Sequence, residues 1–171
     1  MLRISEYKAE IIYLVLITLT AIILYSIYVG LFDEDWIYGR DHSGSNIPDS
    51  HSIYPGLFMG TTALVSGWQT WRMIKPATWK SYLLCGLVNI PLFHICLGIL
   101  IFLWLIVVFL FVTEDSEISF VNMLNTGLFW GATAGAVSLV RCCLITSWIC
   151  LQTAIITKIV LSLIDSHIKR G

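Results

Sequence analysis

Charge is so sparse along this chain that the stretches between charged residues define its plan. Residues 11–32, 53–71, 81–113, 118–140 and 142–157 carry no Asp, Glu, Lys or Arg. A helix needs about 20 apolar residues to cross a bilayer, and the first four runs are long enough or nearly so. Polar segments separate them. Residues 33–51 include Gly39, Gly44 and Pro48 and read as an exposed loop, residues 72–80 as a short basic turn with Pro76, and residues 114–117 as a brief acidic turn. Arg141 interrupts the last apolar region, but Val140-Arg141-Cys142-Cys143-Leu144 contains no Gly, Pro, Asn or Asp with which to turn the chain. One continuous final helix is therefore expected. The reading is all-α: a single integral-membrane domain, a four-helix transmembrane bundle with spans at about 11–32, 53–71, 81–112 and 118–164.

Two of these helices are too long for a bilayer. At 1.5 Å per residue the last is about 68 Å and the third about 48 Å, against a hydrocarbon core of about 30 Å. The expectation is that both overhang on the cytoplasmic side and pack together there, with Pro91 as the place for a kink in the third. From Ser147 onward the last helix becomes amphipathic, with Ser147, Lys158, Ser162, Asp165 and Lys169 recurring near the helical period.

Composition sharpens this reading. The 171 residues are 57% hydrophobic and 12% charged, with mean hydropathy +0.83. Soluble domains average about 25% charged residues, so a soluble enzyme of ordinary composition is excluded. Net charge is −1, with no basic patch to serve nucleic acid. The first run is longer than the apolar core of a signal peptide, so it is expected to stay as a helix. Bases and acids alternate by loop: the first loop holds Arg40 and five acids, the second holds Arg72, Lys75 and Lys80 with no acid, and the third holds three acids with no base. Lys and Arg mark cytoplasmic loops, which places both termini in the cytoplasm. Trp68, Trp71 and Trp79 beside Arg72 and Lys75 read as an interfacial belt on that side, with Trp36 and Tyr38 opposite.

Candidate chemistry is thin. Gly127, Gly131 and Gly135 lie four apart on one helix face, and Gly60 and Gly67 form a weaker set. Lipid gives helices no hydrophobic drive toward each other, so small residues that admit close approach promote packing. The seam serves either the chain's own bundle or an oligomer or partner. Arg141 is either a functional intramembrane charge or a residue at the cytoplasmic border. In the second case Cys142 and Cys143 become candidates for S-palmitoylation. The five cysteines lie in apolar stretches without a CxxC spacing, as buried thiols do. His94, with Asn89 before it, reads as a hydrogen-bonded helix contact rather than a metal ligand. All eleven acids lie outside the apolar runs, whereas coupled transporters place carboxylates inside them. No HExxH, P-loop or GxSxG occurs. No catalytic, metal or cofactor site is expected.

Tyr54-Pro55, Gly60, Ser66-Gly67, the basic loop, Asn89 and Gly98 together resemble the CD20-like family of four-pass membrane proteins over residues 54–98. The chain departs from that family in its long first outer loop and very short second one. The resemblance implies a non-catalytic plasma-membrane protein that oligomerises and associates with receptors or channels. Ile74-Lys75-Pro76-Ala77-Thr78-Trp79-Lys80, with Cys85 and Pro91, is similar to the second cytoplasmic turn and third helix of immunity proteins against pore-forming colicins. That likeness implies an inner-membrane protein that blocks a toxin's channel.

The expectation that follows is a multi-pass protein of the plasma membrane. It contacts the lipid bilayer and either itself or another integral membrane protein, as an oligomer or accessory subunit. An immunity protein and a channel-forming oligomer are the alternatives.

Overall fold

The computed structural model describes residues 6–32, 53–112 and 120–168. The loop at 33–51 with Trp36 and Tyr38, the acidic turn at 114–117, and Lys169 and Arg170 lie outside the described residues. Everything described is helix or turn, in four helices: α1 (Glu6–Phe32), α2 (Ile53–Ile74), α3 (Trp79–Val112) and α4 (Phe120–Ile168). α3 runs unbroken through Pro91. α4 passes through Arg141 as one helix of 49 residues, because nothing in that stretch breaks the hydrogen-bond ladder.

Three helices are long and apolar enough to cross a membrane, over Tyr7–Ile27, Trp79–Phe111 and Val121–His167. This is the build of a membrane protein. α2 differs through its small and hydroxylated residues. Its Thr61, Thr62, Ser66 and Thr70 donate to carbonyls three or four residues back in their own helix, at 2.8–3.3 Å. Such back-bonding hides a hydroxyl from an apolar surrounding.

Each helix packs on its neighbours in sequence, and α4 closes the ring onto α1. Along α1, Tyr13, Ile17, Ala21 and Tyr25 are buried, while Ile11, Val15, Leu19, Ile23 and Ile27 face outward. The centre of the ring is filled by side chains. Asn89 Nδ2 donates to Tyr13 Oη at 3.2 Å, and Thr70 Oγ1 shares its one proton between the Ser66 carbonyl at 2.8 Å and Asn89 Oδ1 at 3.2 Å, which joins α1, α2 and α3. One level away, the Tyr25 ring stacks on Phe93 at 5.9 Å, and its hydroxyl meets Thr146 Oγ1 at 2.6 Å, which joins α1, α3 and α4. Interhelical hydrogen bonds in membranes contribute about 0.6 kcal/mol each on average, so they set register more than they supply stability.

The excess length of α3 lies opposite to expectation. Only four residues, Lys75 to Thr78, join α2 to α3, so α3 cannot run past the basic turn. Above the Tyr25–Phe93 contact, α1 continues for about 10 Å of helix and α3 for about 28 Å, by the rise of 1.5 Å per residue. The beginning of α4 accompanies α3 there. The two form an arm that outruns the α1–α2 pair at the end away from the basic turn. Only the last ten residues of α4 pass the turn on its own side, beyond Lys158, whose Nζ lies 3.5 Å from the Ala77 carbonyl and 5.4 Å from the Tyr82 ring centre.

The turn itself is tightly specified. Lys75 takes a left-handed conformation, φ 46°, and its N–H caps α2 by donating to the Trp71 carbonyl at 2.8 Å. Thr78 and Ser81 then cap α3 reciprocally. Ser81 N–H donates to Thr78 Oγ1 at 3.3 Å, and Thr78 N–H donates to Ser81 Oγ at 2.8 Å. A left-handed backbone costs a side-chain-bearing residue about 1–2 kcal/mol relative to glycine. Lys75→Gly and Lys75→Val both remove the charge, so they differ in backbone preference alone. The glycine variant should be the more stable by about 1–2 kcal/mol in thermal unfolding in micelles followed by circular dichroism. Equal melting would show that the turn relaxes without cost.

Candidate functional site: the seam between α3 and α4

The glycines of α4 meet α3 backbone to backbone. A methyl placed on Gly131 would lie 2.6 Å from the Gly98 carbonyl oxygen, and one on Gly98 would lie 2.7 Å from the Gly131 carbonyl oxygen. A methyl on Gly135 would reach the His94 carbonyl oxygen at 3.0 Å. Gly127 is looser, because what it faces is the Phe102 ring at 3.1 Å. All three glycines singled out in the last helix thus turn toward α3 of the same chain. The weaker set lies between α1 and α2: a Cβ at Gly60 would land on the Ile22 side chain, and one at Gly67 would lie 3.3 Å from Ile17 and 3.4 Å from Tyr13.

A polar pair closes the seam. His94 is 3% exposed, and its Nδ1 lies 2.8 Å from Ser138 Oγ. The Ser138 hydroxyl donates to the Gly135 carbonyl at 2.8 Å, one turn back in α4. That hydroxyl can turn its one proton to the Gly135 carbonyl or to Nδ1, so the pair bonds in either tautomer of the ring. Nε2 has no partner among the described residues.

Outside the seam, α3 and α4 diverge enough to leave a groove of about 480 Å³. Its walls are apolar or small, with Ile95 and Ile99 from α3 and Leu128, Ala132 and Ala136 from α4, and His94 lines it. His94 supplies the only polar side chain in that lining.

The charged candidate sits elsewhere on α4. Arg141 is exposed and lies about 26 Å along the helix from Lys158, which marks the level of the basic turn. Cys142 and Cys143 are half-buried and about 23 Å from the same reference. Cys142 packs against the core, and Cys143 Sγ lies 3.8 Å from Ser147 Oγ. The lipidation reading depends on a place at the cytoplasmic border; along α4 both thiols lie near the middle of the helix. None of the five cysteines, all among the described residues, is in a disulfide. Among the described residues, no three of His, Cys, Asp and Glu come together as a metal site requires.

Two seam residues received little weight in the sequence. Gly98 stands alone in α3 without a glycine one turn away, so no repeat announces it. Ser138 is one small residue among several in α4, and only the fold brings it to His94 from 44 positions away. No protein-family model matches the chain, and no curated protein or solved structure shows significant similarity to it. The CD20-like and colicin-immunity resemblances rest on the quoted residues alone.

The seam ranks its glycines by what a methyl would strike. Gly98→Ala and Gly131→Ala should each destabilise by about 1–3 kcal/mol, because a carbonyl oxygen of a helix cannot step aside. Gly127→Ala should cost less, since the Phe102 ring can swing away. Thermal unfolding of the three variants in one detergent tests the order, and equal loss at all three would contradict it.

Proposed function

We propose that this chain is a non-catalytic, four-span protein of the plasma membrane that works by holding other transmembrane helices, as an oligomer or as an accessory subunit. The observation that carries this reading is the α3–α4 arm. Where α1 and α2 stop, α3 and α4 continue as a pair with no third helix described beside them, and their outward faces are broad and aromatic. Trp104 is 57% exposed, Phe111 77%, Phe129 65% and Trp130 55%. Phe129 and Trp130 pack edge to face at 5.7 Å. Large aromatic side chains of this kind anchor interfaces at little entropic cost. The glycine seam is engaged within the chain, so the outer aromatic faces rather than the glycines would make the contact with a partner.

Four spans are supported by α2 itself. It lies between α1 and α3, and the hydroxyls that lower its hydropathy are turned inward or bonded to its own backbone. The basic turn at 72–80 favours a cytoplasmic position for that end of the bundle. A conduit through a single copy gains no support, since Tyr13, Tyr25, Asn89 and Phe93 occupy the centre. The immunity reading remains a particular form of the same action, in which the helices held belong to a toxin.

The test is gentle solubilisation from native membranes followed by mass determination. The expected result is a discrete assembly heavier than the 19.3 kDa chain. Combined Trp104→Ala, Phe129→Ala and Trp130→Ala should return it to the mass of one chain with helicity unchanged. A wild-type chain that is monomeric in every mild detergent, without a stoichiometric partner, would overturn the proposal.

A further inference from the structure

The turn between α2 and α3 gathers positive charge that the chain does not answer. Lys75 lies in the turn and Lys80 just past it, both exposed. Lys158 joins them from α4, with its Nζ 3.5 Å from the Ala77 carbonyl oxygen and 5.4 Å from the Tyr82 ring centre. No acid occurs between Asp49 and Glu114, or between Glu117 and Asp165. Asp165 lies about 10 Å farther along α4 than Lys158. Among the described residues none of the three lysines forms an ion pair. The Lys158 ammonium commits one of its three hydrogens to Ala77 and keeps two.

An apolar row leads away from these cations. Leu84, Leu87, Pro91 and Ile95 are exposed on α3, and their spacing puts them on the same face as Lys80. From Lys80 to Ile95 the row is about 22 Å long, more than the depth of about 15 Å of one leaflet. Trp79 is exposed beside the cations, as aromatic residues at a headgroup layer are. A cation at the head of an apolar row matches an amphiphile with an acidic head. A soluble anion would use the charge and leave the row empty, and a polar acidic peptide would do the same.

We propose that this end of the bundle binds an anionic phospholipid, with its headgroup among Lys75, Lys80 and Lys158 and an acyl chain along the α3 row. Charge selects the class. Phosphatidylcholine carries an ammonium that offsets its phosphate, whereas phosphatidylglycerol presents the phosphate alone. Each lysine near a membrane surface favours an acidic lipid by about fivefold, and here three converge with no carboxylate to cancel them. Position selects it as well, because the lysines stand where the apolar run of α3 begins, the level at which lipid phosphates lie. Lys158 gives the site a structural consequence. Among the described residues α2 and α4 do not pack on each other, so a headgroup held by Lys158 and the turn ties α4 to the end of α2. The site lies at the opposite end of α3 from the aromatic arm and rests only on the chain being in a membrane.

The test uses the full chain in phosphatidylcholine nanodiscs with one of two photoreactive probes. Both carry the same acyl chain with a diazirine and a terminal alkyne, one on phosphatidylglycerol and one on phosphatidylcholine. Within 80–95 the phosphatidylglycerol probe should label at least about fivefold more than its counterpart, the factor that one surface cation supplies. Within 103–111, on the arm, the two should label alike. Lys80→Gln with Lys158→Gln should bring the acidic probe down to the level of the neutral one. A glutamine amide at 158 can still donate to the Ala77 carbonyl, so the turn keeps its contact while the charge is lost. Lys8→Gln removes one charge from exposed α1 and should leave the preference intact. Equal labelling by the two probes in the wild-type chain would overturn the proposal and leave the charge to a soluble or protein anion. A loss with Lys8→Gln as large as with the paired glutamines would also overturn it, by showing diffuse attraction instead of a site. The aromatic variants of the arm leave these lysines in place, and the mass of the assembly does not report lipid class, so the two proposals fail independently.

Discussion

The arrangement depends on two backbones being allowed to touch. At Gly98 and Gly131, α3 and α4 meet without side chains between them. Lipid tails are as apolar as leucine, so two helices gain nothing from hiding leucines against each other. What they gain is dispersion from dense contact, and that is greatest where nothing holds the axes apart. Once this crossing is set, His94 faces Ser138 and Phe102 covers Gly127. The groove opens beside the same crossing.

The rest of the bundle is registered by polar contacts through its centre. Asn89 links three helices through two side-chain bonds, and Tyr25 links α1 to α4 while stacking on α3. These groups sit where an apolar side chain would have packed equally well, and their bonds are individually weak. Their value is directional. Sliding one helix by a residue would leave Asn89 or Thr146 without its partner in a surrounding that offers no replacement. The glycine seam brings two helices close, and the polar centre decides at which height the other two join.

Much of the plan was legible in the sequence, for a simple reason. Charged residues avoid hydrocarbon, so the uncharged runs trace the helices, and the lack of a turn former around Arg141 announces that α4 is continuous. The buried faces were not legible. On α1 the core is Tyr13, Ile17, Ala21 and Tyr25, and the outside is Ile11, Val15, Leu19, Ile23 and Ile27. Both are apolar, so the contrast that reveals a buried face in a soluble helix is missing. The direction of the overhang was misjudged, although the four-residue turn held the information: a helix that begins at a tight turn can exceed its neighbour only at the far end. The pairing of His94 with Ser138 could not be read at all, since it depends on the rotation of two helices about their own axes.

The seam also bears on how such a chain can vary. Most tight contacts in proteins join two side chains, so an enlargement on one side can be answered by a reduction on the other. At Gly98 and Gly131 each glycine faces the other's carbonyl oxygen, an atom that every amino acid carries. Nothing at either position can make room for a change at its partner. The two sites therefore lack the compensating exchanges that let protein cores drift. The neighbouring Gly127, which meets a side chain, keeps that freedom. Among descendants of this sequence, the first two should persist as an unchanging pair while Gly127 and Phe102 trade volume between them.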